Sequence, residues 1–120
     1  MKTAIIILSD PKSGSDESLG RVYNALAVAY DFKNDGQDVS ILFQGTGTRW
    51  PEALQKEDHP VHELYKAVED NIQGVSCACS DVFNAEPAGL DLVNDNKVPN
   101  TSGLPSFTNL QKQGYSILVF

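Results

Sequence analysis

The chain has 120 residues, the length of one domain with a core of its own. Hydrophobic residues make up 41% and charged residues 21%, a globular balance that excludes a disordered or fibrous chain. Sixteen acidic against nine basic residues give a formal charge of −7 with no Lys/Arg patch, which argues against nucleic acid and anionic membranes as partners. The longest apolar stretches, Ala4–Leu8 and Ala25–Tyr30, fall far short of the ~20 residues of a membrane span. The apolar run after Thr3 is also too short for a signal peptide. A cytoplasmic, unprocessed protein is expected. The only cysteines, Cys77 and Cys79, make neither a secreted disulfide framework nor a zinc-site spacing.

Residues 3–9 read as a first strand, an Ile-rich run of the kind buried on both faces in parallel sheets. Asp10 to Ser15 is a turn. Ser15 or Asp16 then caps a helix over about residues 17–35, with Glu17 in its first turn and Gly36 as its stop. Leu19, Tyr23, Leu26 and Tyr30 define one face of it. Ala25, Val28 and Phe32 lie on the other side near Arg21, apolar where a monomer's helix should be polar. This predicts a homo-oligomer that buries Val28 or Phe32.

A second strand covers residues 38–44, and Gly45 to Pro51 breaks it. Val61, Leu64, Tyr65, Val68 and Ile72 form a helical stripe over residues 60–73, with Pro60 in the first turn and Gly74 after the end. A third strand over residues 74–78 runs into the cysteines, and Ser80 to Phe83 reads as a short helical turn. Gly89 to Val93 reads as another helical turn, and Lys97-Val98 as a rudimentary strand. Pro105 opens a helix over residues 104–113 with Phe107 and Leu110 inward, closed by Gly114. Residues 115–120 form the last strand. This alternation predicts an α/β fold, a three-layer α/β/α sandwich with a mainly parallel sheet of four or five strands, and a single domain over residues 1–120. It leaves the strand order open.

Ligands of such sheets bind beyond the carboxyl ends of the strands, where the following loops gather. The first loop carries Ser9, Ser13, Gly14 and Ser15 ahead of a helix N-terminus. That is either a cradle for a flavin or nucleotide phosphate or a plain capped start. Neither GxxxxGK[ST] nor GxGxxG is present. In the second loop, Gly45 and Gly47 allow a close backbone approach and Arg49 suits an anion clamp, or the segment is a turn with Trp50 packed beside it. His59 and His62 have ligand-like spacing but no third partner, so no metal is expected. In the third loop, Cys77 and Cys79 stand at a strand-to-helix junction. On an extended chain they point to one side, with Cys77 the more buried. A thiol at a helix start is favoured as the nucleophilic thiolate, Asp81 opposes this, and a second thiol can resolve an adduct. The alternative is a pair of core cysteines.

The order of elements and several residues resemble the DsrE/DsrF-like family, which includes the sulfur-relay TusD and DsrE subunits and the YchN-like proteins. Ile5–Leu8 looks like the family's first strand, Leu19–Leu26 its first helix, and Val39–Gly45 its second strand and glycine. Ala78-Cys79 stands where members often have Ala-Cys after strand three. Ser102-Gly103, Leu110, Gly114-Tyr115 and Leu118 resemble the closing segment. The chain departs from the family in having a second cysteine and in residues 84–98. The resemblance implies a sulfur-carrier or thiol-relay protein of sulfurtransferase type, with a persulfide on Cys79 and Cys77 as an assisting or resolving thiol. Ser9, Ser13, Gly45 and Arg49 would shape the pocket. It implies a homotrimer or homohexamer with sulfur donor and acceptor proteins as partners, and no cofactor. The rival reading is a non-catalytic oligomeric module that binds a small anionic ligand, a nucleotide or flavin, at the same rim.

Overall fold

The computed structural model describes residues 1–120. Strands β1 (Lys2–Ile7), β2 (Asp38–Phe43), β3 (Ile72–Ser76), β4 (Leu92–Val93) and β5 (Ser116–Val119) form one all-parallel sheet in the order β4-β3-β2-β1-β5. The helices are α1 (Asp16–Asn34), α2 (Trp50–Leu54), α3 (His62–Val68), α4 (Cys77–Val82) and α5 (Phe107–Lys112). None of them is long and apolar enough to cross a membrane.

The pleat assigns the layers. Ile5, Ile7, Val39, Ile41, Phe43 and Val75 face one side and bury against α1, α2 and α3. Ala4, Ile6 and Leu42 face the other and bury against Leu110 of α5. From β1 to β4 the strands advance in one direction, so right-handed crossovers keep α1 and α3 on one face. The chain then returns past three strands to reach β5, and the same handedness puts α5 on the opposite face. The strand order thus produces the third layer.

Ser15 Oγ caps α1 by accepting the Ser18 N–H at 3.1 Å, with Asp16 and Glu17 in the first turn. The buried face of α1 is Ser18, Val22, Ala25, Leu26 and Ala29. Tyr23 and Tyr30 are 52% and 44% exposed, while Val28 and Phe32 pack on the core flank. The expected faces are therefore rotated. Ala25 and Ala29 let the helix approach the sheet closely, where a tyrosine would hold it off. Val28 and Phe32 are half-buried within one chain, so less apolar surface is left there for assembly than the helical spacing implied. Full burial of Leu26 alone contributes about 2 kcal/mol.

Other expectations shift by local causes. α3 tightens to a single 3-10 turn at Glu69–Asn71, and Ile72 is already the first residue of β3. The helix expected to reach residue 73 ends two residues earlier, because the strand residue Ile72 happened to continue the stripe. Gly45–Arg49 and α2 are helical turns rather than a break, since Pro51 stands in a first turn, where its missing N–H is harmless. β4 lies at Leu92–Val93, paired with Val75 and Ser76, and not at Lys97-Val98. The helical turn expected at residues 89–93 is therefore absent. Phe107 is 38% exposed rather than inward, and Leu110 alone carries the contact of α5.

Gly47 is a point of close approach, because a Cβ there would collide with the carbonyl oxygen of Ile7 at the end of β1. Gly20, inside α1, has open space around that position. Gly47→Ala should lower the unfolding free energy by about 3 kcal/mol, while Gly20→Ala should raise it by about 0.7 kcal/mol. Urea unfolding of the two variants checks both signs.

Candidate functional site

The loops after β1, β2 and β3 meet at the carboxyl rim, and Arg49 joins them. Its Nη1 donates to both carboxylate oxygens of Asp10, at 3.2 and 3.1 Å. Its Nη2 donates to the Phe83 carbonyl at 3.2 Å, just past α4. The guanidinium carbon also stands 5.7 Å from the centre of the Phe83 ring. The next residue, Trp50, donates from Nε1 to the Ser9 carbonyl at 2.8 Å and to Ser9 Oγ at 3.2 Å. Ser9 Oγ donates in turn to the Ser18 carbonyl of α1. Arg49 and Ser9, both expected as pocket residues, are thus joints between loops as well.

Strand order reverses between β1 and β5, and the crevice at such a switch point is the usual ligand position in open α/β sheets. A cleft of about 380 Å³ lies there, lined among others by Ser9, Ser13, Ser15, Arg21, Val119 and Phe120. Asp10 and Glu17 also line it, and Glu17 Oε1 is 2.8 Å from Arg21 Nη2. Ser9 and Ser13 therefore line one cleft together, whereas Arg49 borders a different one, of about 440 Å³, with Lys12, Lys56, Glu52 and Asn84. Gly45 lines neither. It takes a left-handed φ of 56° and sits against Leu8.

Both cysteines lie in the first turn of α4 rather than on an extended strand. Ser76 is the fully buried N-cap, and its Oγ accepts the Cys79 N–H at 3.3 Å. The Ala78 N–H donates to the Gly103 carbonyl at 2.8 Å. Successive helical residues turn ~100°, so Cys77 and Cys79 project about 200° apart and do not share a face. Both are half-buried, where Cys77 was expected to be the deeper. The buried positions of this turn are Ala78 and Ser80 between and after them. Neither cysteine lines a cleft of the monomer. The return segment after β4 grips α4 from outside through Ala78–Gly103 and through a Ser102 hydroxyl bond to the Asp81 carboxylate. At its far end, Ser80 Oγ donates to the Ala85 carbonyl at 2.9 Å.

The histidines have structural partners. His59 Nδ1 accepts the Val61 N–H at 3.1 Å, and its ring meets Trp50 edge-on at 6.2 Å. His62 Nδ1 lies 2.7 Å from the Leu54 carbonyl. Burial pushes the His59 pKa below 6.5, with Asp58 opposing and His62 and Lys56 adding to the drop. Sequence reading missed Ser76, Asp10, Phe83 and Ser102 as parts of this rim. The one available signal was Ser-Cys-Ala-Cys, a capping serine three residues before a helix-forming cysteine.

A model of the DsrE/DsrF-like family matches residues 1–120. The chain is 29% identical over 99 residues to the uncharacterized protein MJ0733 of Methanocaldococcus jannaschii, an alignment that covers 79% of each chain.

Loss of the α4 cap should loosen the turn that carries both thiols. Ser76→Ala should cost about 1 kcal/mol and speed alkylation of both cysteines, read by thiol titration of the folded protein. His59 gives a pH dependence of known sign. Its lowered pKa means the unfolded chain binds the proton more readily, so stability present above pH 6.5 is lost as pH falls below it. Urea midpoints at about pH 7.5 and about pH 5.5 should differ less in His59→Gln than in the parent.

Proposed function

The chain belongs to the DsrE/DsrF-like family, and we propose that it works as a sulfur carrier that holds a persulfide on Cys79. The observation that carries this reading is the setting of Cys79: a half-buried thiol in a capped helical turn at the carboxyl rim, directly after β3. The family is associated with sulfur relay, which needs a thiol held in place and reachable by large partners. A cysteine on an open surface turn suits transfer between proteins better than one deep in a cleft.

The step balances without a cofactor. The Cys79 thiolate attacks the outer sulfur of a donor persulfide, that sulfur–sulfur bond breaks, and the donor leaves as a thiolate. The outer sulfur and its proton now sit on Cys79. An acceptor thiolate later attacks the same sulfur and releases Cys79 as the thiolate. Cys77 as a resolving thiol would have to attack the inner sulfur and expel hydrosulfide. Its position 200° round the helix requires the first turn to unwind for that. We therefore assign Cys77 at most an assisting role. The partners are a sulfur donor and a sulfur acceptor protein in a reducing compartment such as the cytoplasm. The reading includes a homo-oligomer, trimer or hexamer, which the resemblance to the family supports. Its contacts would cover the edge strand β5, where Leu118 and Val119 are 40% and 55% exposed, rather than Val28 or Phe32.

The rival ligand-binding reading draws on one observation, the cleft where Lys12 and Lys56 flank Arg49 in a chain of charge −7. It predicts a rise in melting temperature with pyrophosphate that Lys12→Gln with Lys56→Gln abolishes.

Intact-mass spectrometry after incubation with a low-molecular-weight persulfide separates these readings. The parent should gain one sulfur, Cys77→Ser should keep most of that gain, and Cys79→Ser should lose it. Undiminished loading of Cys79→Ser would remove the proposal.

A further inference from the structure

A different cleft opens on the α5 face of the sheet, with a volume of about 380 Å³. Gln44, Asn96, Leu104, Ser106, Phe107 and Thr108 line it. Gln44 extends β2 by one residue in an extended conformation, φ −132° and ψ 168°. The pleat therefore turns its side chain to the Leu42 side, which α5 covers. Gln44 is 7% exposed, and its Oε1 is buried with no hydrogen-bond partner. Buried carboxamide oxygens are rarely left so, and packing alone favours an apolar residue of the same shape at such a place. A half-turn of the amide exchanges its oxygen and nitrogen, so either can be offered to the cleft.

The walls are preformed. Asn96 and Leu104 exchange two backbone hydrogen bonds, at 2.7 and 3.0 Å. The neighbouring Gly103 is tied to Ala78 of α4. Ser106 Oγ caps α5 by accepting the Asn109 N–H, which leaves its O–H to donate. The Asp95 carboxylate stands behind Ser106, bonded to the Ser106 N–H at 2.9 Å and to Asn109 Nδ2 at 2.8 Å. Burial raises the Asp95 pKa, but these hydrogen bonds outweigh it and leave the carboxyl below its ordinary range. No cation lines the cleft and an ionised carboxylate borders it, so an anionic ligand meets repulsion there.

What the lining offers is two carboxamides, two hydroxyls and the exposed ring of Phe107. We propose that this cleft binds a neutral, planar heteroaromatic amide, the chemistry shared by a nucleobase and a nicotinamide ring, with Gln44 pairing to its amide and Phe107 covering its face. The lining is mainly polar, with Leu104, Pro105 and Phe107 as its apolar part, which suits a ring that carries its own donors and acceptors, and an amide that pairs with Gln44 supplies the partner its buried oxygen lacks. The site does not depend on the sulfur-carrier reading, because no cysteine lines it.

Nicotinamide and nicotinate test it, since they share a ring and differ in amide against carboxylate. Amide NMR spectra of the full chain should show saturable shifts of the Gln44 side-chain NH2 pair and the Phe107 backbone amide with nicotinamide. Nicotinate should bind more weakly by roughly tenfold or more. Gln44→Met keeps the shape, so it should fold with undiminished stability yet lose nicotinamide affinity by roughly tenfold. Phe107→Ala, at an exposed position, should weaken it as well. Cys79→Ser should bind nicotinamide like the parent even if sulfur loading is lost. Absence of saturable shifts at Gln44, equal binding of nicotinate, or full affinity in both Gln44→Met and Phe107→Ala would each overturn the proposal. A destabilised Gln44→Met would make the amide a structural group and overturn the role given to it.

Discussion

One guanidinium holds the carboxyl rim together. Arg49 leaves the loop after β2, pairs with Asp10 in the loop after β1 and bonds the Phe83 carbonyl at the end of α4. Both charged side chains are mostly shielded, 21% and 29% exposed. Hydrogen bonds to charged groups in such a place contribute about 2 kcal/mol, more than an exposed surface pair. The loops after three adjacent strands are thereby made one surface. The site chemistry inherits its geometry from this. α4 is short, and six residues with one cap do not keep a helix in water without tertiary contacts.

The turn that carries the thiols is fixed at several points for the same reason. Ser76 holds its start, Gly103 and Ser102 grip its outer side, and Arg49 and Ala85 hold its end. The return segment after β4 supplies two of these contacts and also forms one wall of the Gln44 cleft. Two features of the rim therefore share one scaffold, while the crevice lies at the switch point between β1 and β5, with β2 between it and the strand that leads into α4. Sulfur transfer needs an approachable thiol, and neither cysteine is buried in the Gln44 cleft or in the crevice.

Much of this was legible in the sequence where a pattern had one cause. The Ile run of β1, the capped start of α1 and the strand over residues 38–44 follow from burial on both faces, from an orphan N–H and from β-branched side chains. The family resemblance, carried by the order and spacing of segments from Ile5–Leu8 through Ala78-Cys79 to Gly114-Tyr115, extended this to the whole chain. Patterns with two possible causes misled. Ile72 continued the stripe of α3 while already pairing with Ile41. Tyr23 and Tyr30 kept helical spacing but lie outside, because the alanines set how near α1 can come. The cysteines alternate as on a strand, yet the hydroxyl of Ser76 starts a helix beneath them. Contacts between distant loops, such as Asp10 to Arg49 or Ser102 to Asp81, leave no periodic trace at all. Ser9 and Arg49 were found as residue types suited to a ligand, and their hydrogen bonds to Trp50 and Asp10 became visible only with the fold.

The thiol turn is a rigid element held by Arg49 rather than a frayed loop end. Native-state hydrogen exchange on the parent and on Arg49→Met tests it most directly. Amides of α4 and Phe83 should lose protection by roughly tenfold in Arg49→Met, while amides of β1 and β2 keep theirs. Equal protection of α4 in the two proteins would contradict it.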